Sequence, residues 1–169
     1  MTLHPEPLPG EENANVLGYH DILNGAPIKG KVAIVGGGQV GFETAEYVHE
    51  KGHEVTIVEM KPDIIMDMGG NARATVLSQY MGKEDFNWVT NATVKSINNN
   101  SLIVEKDGAE ETLDNIDTVI MAIGSKSNNK LMKALDEANV SYHAIGDCVK
   151  APGQIMISVR DAFLLARNL

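Results

Sequence analysis

Residues 32–60 read VAIVGGGQVGFETAEYVHEKGHEVTIVEM, and the fold turns on how this stretch is parsed. Lys31–Gly36, KVAIVG, is a continuous apolar run, as expected of a parallel strand buried on both faces. Three glycines follow at once. Residues 39–52 then place Val40, Ala45, Tyr47 and Val48 near helical spacing and stop at Gly52. HEVTIVEM is a second strand, closing on Glu59. Strand, glycine turn, helix and strand make a βαβ unit.

A GxGxxG pattern alone is weak evidence, because glycine-rich loops also turn corners. Here it sits in the context that dinucleotide binding requires. Gly36 permits the tight turn, Gly38 lets backbone approach a pyrophosphate, and Gly41 lets the helix lie close on the sheet. Ala45 extends that close contact. The N–H groups from Gln39 through Val40 to Gly41 would face the phosphates, with the positive end of the helix dipole behind them. Glu59, 18 residues beyond Gly41, stands where an acid can accept both ribose hydroxyls of an adenosine. A 2′-phosphate would meet that carboxylate, so NAD(H) is expected over NADP(H), although Lys61 beside it is a cation. Gly37 and Met60 complete the expected nucleotide-contacting set on these two turns.

The rest of the chain surrounds this unit. Residues 1–30 hold four prolines and four glycines without a sustained period, an irregular lead-in with one helical turn near Tyr19–Asn24. GGNARATVLSQYMG predicts a second helix. NWVTNATVKSINNNSLIVEKDGAEETL then changes to a period of two, three or four short strands in an antiparallel meander. IDTVIMAIG returns to a buried strand, NNKLMKALDEANV predicts a helix, YHAIGD a short strand, and MISVRDAFLLARNL a last helix. The order implies an α/β fold: a Rossmann-like three-layer domain with a parallel sheet plus a small antiparallel β-meander. No internal repeat or low-complexity tract appears.

Composition narrows the function. The 169 residues carry a formal charge of −9, which opposes nucleic acid or an anionic membrane as partner. A helix N-terminus binds pyrophosphate without basic residues, so a dinucleotide stays compatible. A single cysteine, Cys148, rules out an internal disulfide, a CxxC pair or a cysteine-rich cluster within this sequence. The histidines at 4, 20, 49, 53 and 143 lack metal-site spacing, and no metal is expected. His49 and His53 are i,i+4, but Gly52 should end the helix between them. No signal peptide or run of about 20 apolar residues appears, and a cytoplasmic location is expected.

Beyond the generic unit, GGGQVGFETA is similar to the NAD(P)H-domain signature of two-dinucleotide flavoproteins resembling pyridine nucleotide-disulfide oxidoreductases. Three further segments fall in that family's order. The Asn-rich meander matches its small antiparallel sheet. DTVIMAIGSKSNN resembles the strand and turn closing over the pyridine nucleotide, which places Ala122, Ile123 and Gly124 at the cofactor. YHAIGDCVKAPGQIMISVRDAFLLARNL resembles the Gly-Asp motif and last helix of the flavin domain, with Gly146 and Asp147 as the flavin-contacting pair. Within the superfamily, GDC, PG and RDAF resemble the C-terminal part of NADH:flavin oxidoreductases of the Old yellow enzyme branch, the 2,4-dienoyl-CoA and 2-enoate reductase types. Ser158 and Ala162 depart from that pattern, where Ala and Gly are expected.

The resemblance implies that NADH delivers hydride to the flavin of FAD and that the flavin reduces an enoate-type or related substrate. It divides the chain into a flavin-domain lead-in at 1–28, an NAD-binding domain at 29–140 and a C-terminal flavin-domain piece at 141–169. The flavin domain's own GxGxxG, an iron–sulfur site and a substrate-reducing barrel are not in this sequence. The chain therefore reads as an excised part of a larger enzyme, without catalytic residues, inactive alone and not retaining FAD. Its flavin-domain flanks are expected to fold back or to pair with a second copy as a homodimer.

Individual residues keep plainer alternatives. Glu43 points toward the nicotinamide by resemblance, or is simply a first-turn acid favoured by the dipole. Ala122 and Gly124 are also explained by a strand-end turn, and Asp147 by a capping role. Cys148 reads as a buried small hydrophobe, Met66 and Met68 as loop packing, and Trp88 as packing under the meander. Two other functions fit the single GxGxxG: a non-catalytic NAD-sensing module, and the NAD half of a disulfide reductase. The Gly-Asp tail opposes the first, and the absence of CxxC opposes the thioredoxin-reductase form of the second.

Overall fold

A computed structural model describes residues 7–151, 153 and 155–169. His4 and the first six residues of the lead-in lie outside these, as do Pro152 and Gln154 of the C-terminal motif. The described residues form two compact units, 7–123 and 124–169.

The first unit opens with β1 (Val16–Gly18) and the short helix α1 (Tyr19–Leu23), followed by β2 (Val32–Val35), α2 (Gln39–Glu50) and β3 (Val55–Val58). Then come α3 (Gly70–Ser78), β4 (Phe86–Val89), the strands β5 (Ala92–Ile97), β6 (Ser101–Lys106) and β7 (Ala109–Asp114), and β8 (Thr118–Met121). Five strands pair in the order β1-β8-β2-β3-β4, every pairing parallel. The three central strands, VAIV, VTIV and TVIM, are buried at all four positions, the signature of a sheet covered on both faces.

Alternation along those strands divides the core. Val32, Ile34, Val55, Ile57 and Ile120 join Phe42, Ala45 and Val48 of α2 in one cluster. Ala33, Val35, Val58, Val119 and Met121 point the other way, onto Val94, Leu102 and Val104 of β5 and β6. Helices, parallel sheet and the β5-β6-β7 antiparallel sheet are thus the three expected layers. A bulge at Lys95 shifts the β5–β6 register between Val94 and Ser96. No helix among the described residues is long and apolar enough to cross a membrane.

Several local readings change. The first period-two segment is not part of the meander: β4 pairs parallel with β3, Val55 opposite Phe86, at the edge of the main sheet. The irregular lead-in includes β1, whose Val16 sits opposite Val119 of β8. On α2 the core face is Phe42, Ala45 and Val48, whereas Val40 is exposed and Tyr47 half-buried. Trp88 packs on the helix side with Phe86, ring centroids 6.4 Å apart, not under the meander. Met66 is exposed, and Met68 packs against the helix-side core.

The second unit contains α4 (Lys130–Glu137), a 3-10 turn at Gly146–Cys148 and α5 (Ile155–Ala166). Residues 141–145 form no strand, since a strand needs a paired neighbour and the described part of this unit offers none. Cys148 is half-buried and donates to the Ile145 carbonyl at 3.1 Å. Neither helix buries a residue.

An aromatic cluster ties α2 to β4. The Tyr80 ring lies 4.3 Å from Phe86 and 5.5 Å from Phe42. Burial, reinforced by the Glu46 carboxylate, pushes the Tyr80 phenol up to about 12. Its raised value favours the folded state at neutral pH, and that contribution fades as pH climbs from about 10, where the unfolded phenol ionises, toward 12. Urea titrations of the native chain and Tyr80→Phe at pH 8 and 11.5 should show the native chain losing more stability. Equal losses would mean that the phenol is not held neutral by the fold.

Candidate nucleotide site

The sheet changes direction at β2. From it the chain steps outward to β3 and β4, while β8 returns on its other side after the meander. Ligands of open α/β sheets lie at such a point, beyond the C-terminal strand ends, and the glycine turn stands there.

Its four glycines have different reasons to lack a side chain. Gly36 has φ +108°, and a Cβ there would come within 2.6 Å of the Ala122 carbonyl oxygen. A Cβ on Gly41 would lie 1.9 Å from the Gly36 carbonyl oxygen, so α2 could not seat on the turn. One on Gly37 would meet Ile64 at 2.7 Å and Glu59 at 2.9 Å. These three serve the fold. Gly38 differs: its φ is −72°, and a Cβ would touch only the Asp67 carboxylate at 3.5 Å, an ordinary contact. Nothing in the fold requires a glycine at this position. It leaves backbone uncovered at the N-terminus of α2, where the first N–H groups have no intrahelical partner.

Glu59 is buried, 7% exposed, rather than reaching out from the strand end. Its Oε2 accepts the Gly37 N–H at 2.6 Å and its Oε1 the Lys61 N–H at 2.8 Å. The carboxylate braces the glycine turn, and each oxygen retains a further lone pair for a hydroxyl. Backbone bonds to Val89 and from Ala92 fix Glu59 from the other side. Ala122 N–H donates to Val35 O at 2.8 Å, and Ile123 packs on the meander-side core. Met60 and Lys61 are exposed, as are Val40 and Glu43 on α2.

The turn at 36–41, Glu59, Met60, Lys61, Ala122 and Ile123 are thus gathered in the first unit. Gly124, Gly146 and Asp147 belong to the second. Gly124 has φ +92° and Gly146 φ +73°; a Cβ on Gly146 would lie 3.0 Å from Ser158 Oγ, so the departing serine stands against the Gly-Asp turn. That turn and α5 line a cavity of about 710 Å³ that includes Asp147, Lys150 and Arg160. Among the described residues no group of three or more His, Cys, Asp or Glu could hold a metal. His49 pairs with Asp85 at 3.0 Å and His53 with the Gly30 carbonyl at 2.9 Å.

Two features escaped the sequence reading. Gly37 has a packing reason to be glycine, set by Ile64 and Glu59. Asp67, from the connection after β3, accepts the Gln39 N–H with both oxygens at 3.2 Å. No motif spacing marks it, because the contact spans 28 residues.

The Pyridine nucleotide-disulphide oxidoreductase family matches residues 2–162. The chain belongs to that family, whose members are FAD- and NAD-dependent oxidoreductases. It is 30% identical over 164 residues to a bilirubin reductase of Mediterraneibacter gnavus, covering 96% of this chain and 25% of that protein. It is 35% identical over 161 residues to an NADH oxidase of Thermoanaerobacter brockii, covering 92% and 24%. Among solved structures, a 2-naphthoyl-CoA reductase complex superposes with a TM-score of 0.83 at 27% identity, over 96% of this chain and 24% of that one. The chain spans about a quarter of the length of these relatives.

Glu59→Ala should leave the Gly37 and Lys61 N–H groups without their acceptor, at a cost of about 1–3 kcal/mol. Urea denaturation measures it. An unchanged midpoint would show that the carboxylate does not brace the turn.

Proposed function

We propose that this chain is the NAD(H)-binding part of a larger FAD-dependent oxidoreductase, and that Gly36–Gly41 and Glu59 receive the nucleotide. The observation that carries the reading is Gly38, a glycine the fold does not need, at the N-terminus of a helix on the sheet's switch point. The fit is chemical as well as steric. Gly38 leaves the room a Cβ would take, the first N–H groups of α2 offer donors to phosphate, and Glu59 keeps acceptor capacity for ribose hydroxyls.

When bound, NADH supplies a hydride and FAD accepts it. The residues of this chain contribute binding and orientation. Glu59 holds the turn in shape, Ala122 and Ile123 let the end of β8 run close beside it, and Glu43 lies exposed one turn into α2. The flavin itself belongs to a domain to which residues 141–169 contribute, Gly146 and Asp147 among them, whereas Val16–Gly18 and Ile22 of the lead-in join the sheet and core of the first unit. The exposed Ile155, Met156 and Phe163 of α5 favour such a covering partner. An enoate or related conjugated acceptor is the substrate class favoured by the GDC and RDAF motifs, within an Old yellow enzyme type of architecture that adds a barrel.

Calorimetry of the full chain tests the site. NADH should bind more tightly than NADPH. Gly38→Val should abolish binding while moving the melting temperature by only a few degrees, because the position is unstrained. Undiminished NADH affinity in Gly38→Val would remove the site from this turn.

The purified chain should also be colourless and should not accelerate dye reduction by NADH. Hydride donor and acceptor must be held about 3–3.5 Å apart, which requires the partner domain. Stoichiometric bound flavin would overturn the division of labour.

A further inference from the structure

The connection between β3 and α3 does more than join them. Ile65 donates its N–H to the Gly37 carbonyl at 2.6 Å, and the Ile64 side chain fills the space above Gly37. Arg73 secures the segment from α3: Nε donates to Ile64 O at 2.9 Å and the guanidinium pairs with Asp63. Ile65 is fully buried with φ +46°, a left-handed conformation that β-branched residues rarely adopt. The bend carries Asp67 back across the start of α2, where its carboxylate accepts the Gln39 N–H.

We propose that Met60–Gly69 is an acidic strap, in which Asp67 occupies the phosphate-facing end of α2 until a dinucleotide displaces it. This rests on the nucleotide reading of the glycine turn and adds a regulation to it. A carboxylate is favoured at a helix N-terminus for the same reason as a phosphate: unpaired N–H groups and the positive dipole end. Two anions cannot share those donors, so binding selects the fraction of molecules whose strap is open and the apparent affinity falls accordingly. The strap discriminates by charge. It opposes ligands that place phosphate at Gln39 and is indifferent to a nucleoside without one. Asp67 is exposed and Ile64 and Ile65 are buried, so the acid can swing away while the base of the strap stays docked.

The test is calorimetric titration of the full chain, native, Asp67→Asn and Asp67→Ala, with ADP, NADH and adenosine. It is accompanied by hydrogen exchange of peptides covering residues 60–69. At least one variant should bind ADP and NADH about fivefold more tightly, the scale of a helix-terminus charge. Adenosine should respond equally to all three proteins, and ADP should speed exchange in the native strap. Equal or weaker ADP binding in both variants overturns the strap while leaving the nucleotide site standing. So does a matching gain for adenosine, or a native strap whose exchange ADP leaves unchanged or slows. Absence of ADP and NADH binding in every protein overturns the nucleotide reading and the strap with it.

Discussion

The buried hydrogen bond from Gly37 N–H to Glu59 is the contact on which the rest of the site depends. It joins the end of β3 to the turn after β2, two points 22 residues apart that the parallel register alone brings only to neighbouring strands. A charged acceptor makes such a bond roughly twice as strong as a neutral one. Because the same carboxylate also takes the Lys61 N–H, it fixes where the chain departs after β3. The path of Met60–Gly69, and with it the placing of Asp67, follows from that departure.

The glycines show how one motif answers to two masters. Gly36, Gly37 and Gly41 are forced by atoms of the protein: the Ala122 carbonyl, the Ile64 side chain and the carbonyl of Gly36 itself. Gly38 is forced by none. A motif match alone cannot separate these roles, since all four are the same letter. Space separates them: a Cβ would find a neighbour at 2.6 Å on Gly36, 2.7 Å on Gly37 and 1.9 Å on Gly41, but only at 3.5 Å on Gly38.

Much of this was legible in the sequence. Continuous apolar runs identified β2, β3 and β8, and the glycine spacing located the turn and α2. The spacing places Glu59 at the end of β3 as an acceptor for ribose hydroxyls, but nothing in the sequence shows that its carboxylate also takes two backbone N–H groups. The misassigned pieces share one cause: each is decided by a distant partner. Phe86–Val89 alternates like a meander strand, yet β3 claims it in parallel. Val16–Gly18 is too short to signal a strand until β8 lies beside it. Phe42 beats Val40 for the core because Tyr80 and Phe86 wait on that side. Residues 141–145 have strand-like composition but no edge to join among the described residues of their unit.

The two units differ in how fully they are closed, and the difference bears on what each can do. In the first, both faces of the parallel sheet are covered, and the fully buried residues include Ile34, Phe42, Ile57, Phe86 and Ile120. Its turn is tied down by hydrogen bonds from Gly37 to Glu59, from Ile65 to Gly37 and from Gly36 to Val58. In the second, α5 carries Ile155, Met156, Val159, Phe163 and Leu164 to solvent and buries none of them. Full burial of one such side chain is worth about 1.5–3 kcal/mol, and α5 realises only part of it. The first unit is therefore closed around its own core, while the unit that carries Gly146 and Asp147 leaves the apolar side chains of α5 exposed. Control of binding by a strap inside the first unit is consistent with that division, because it needs no part of the second to operate.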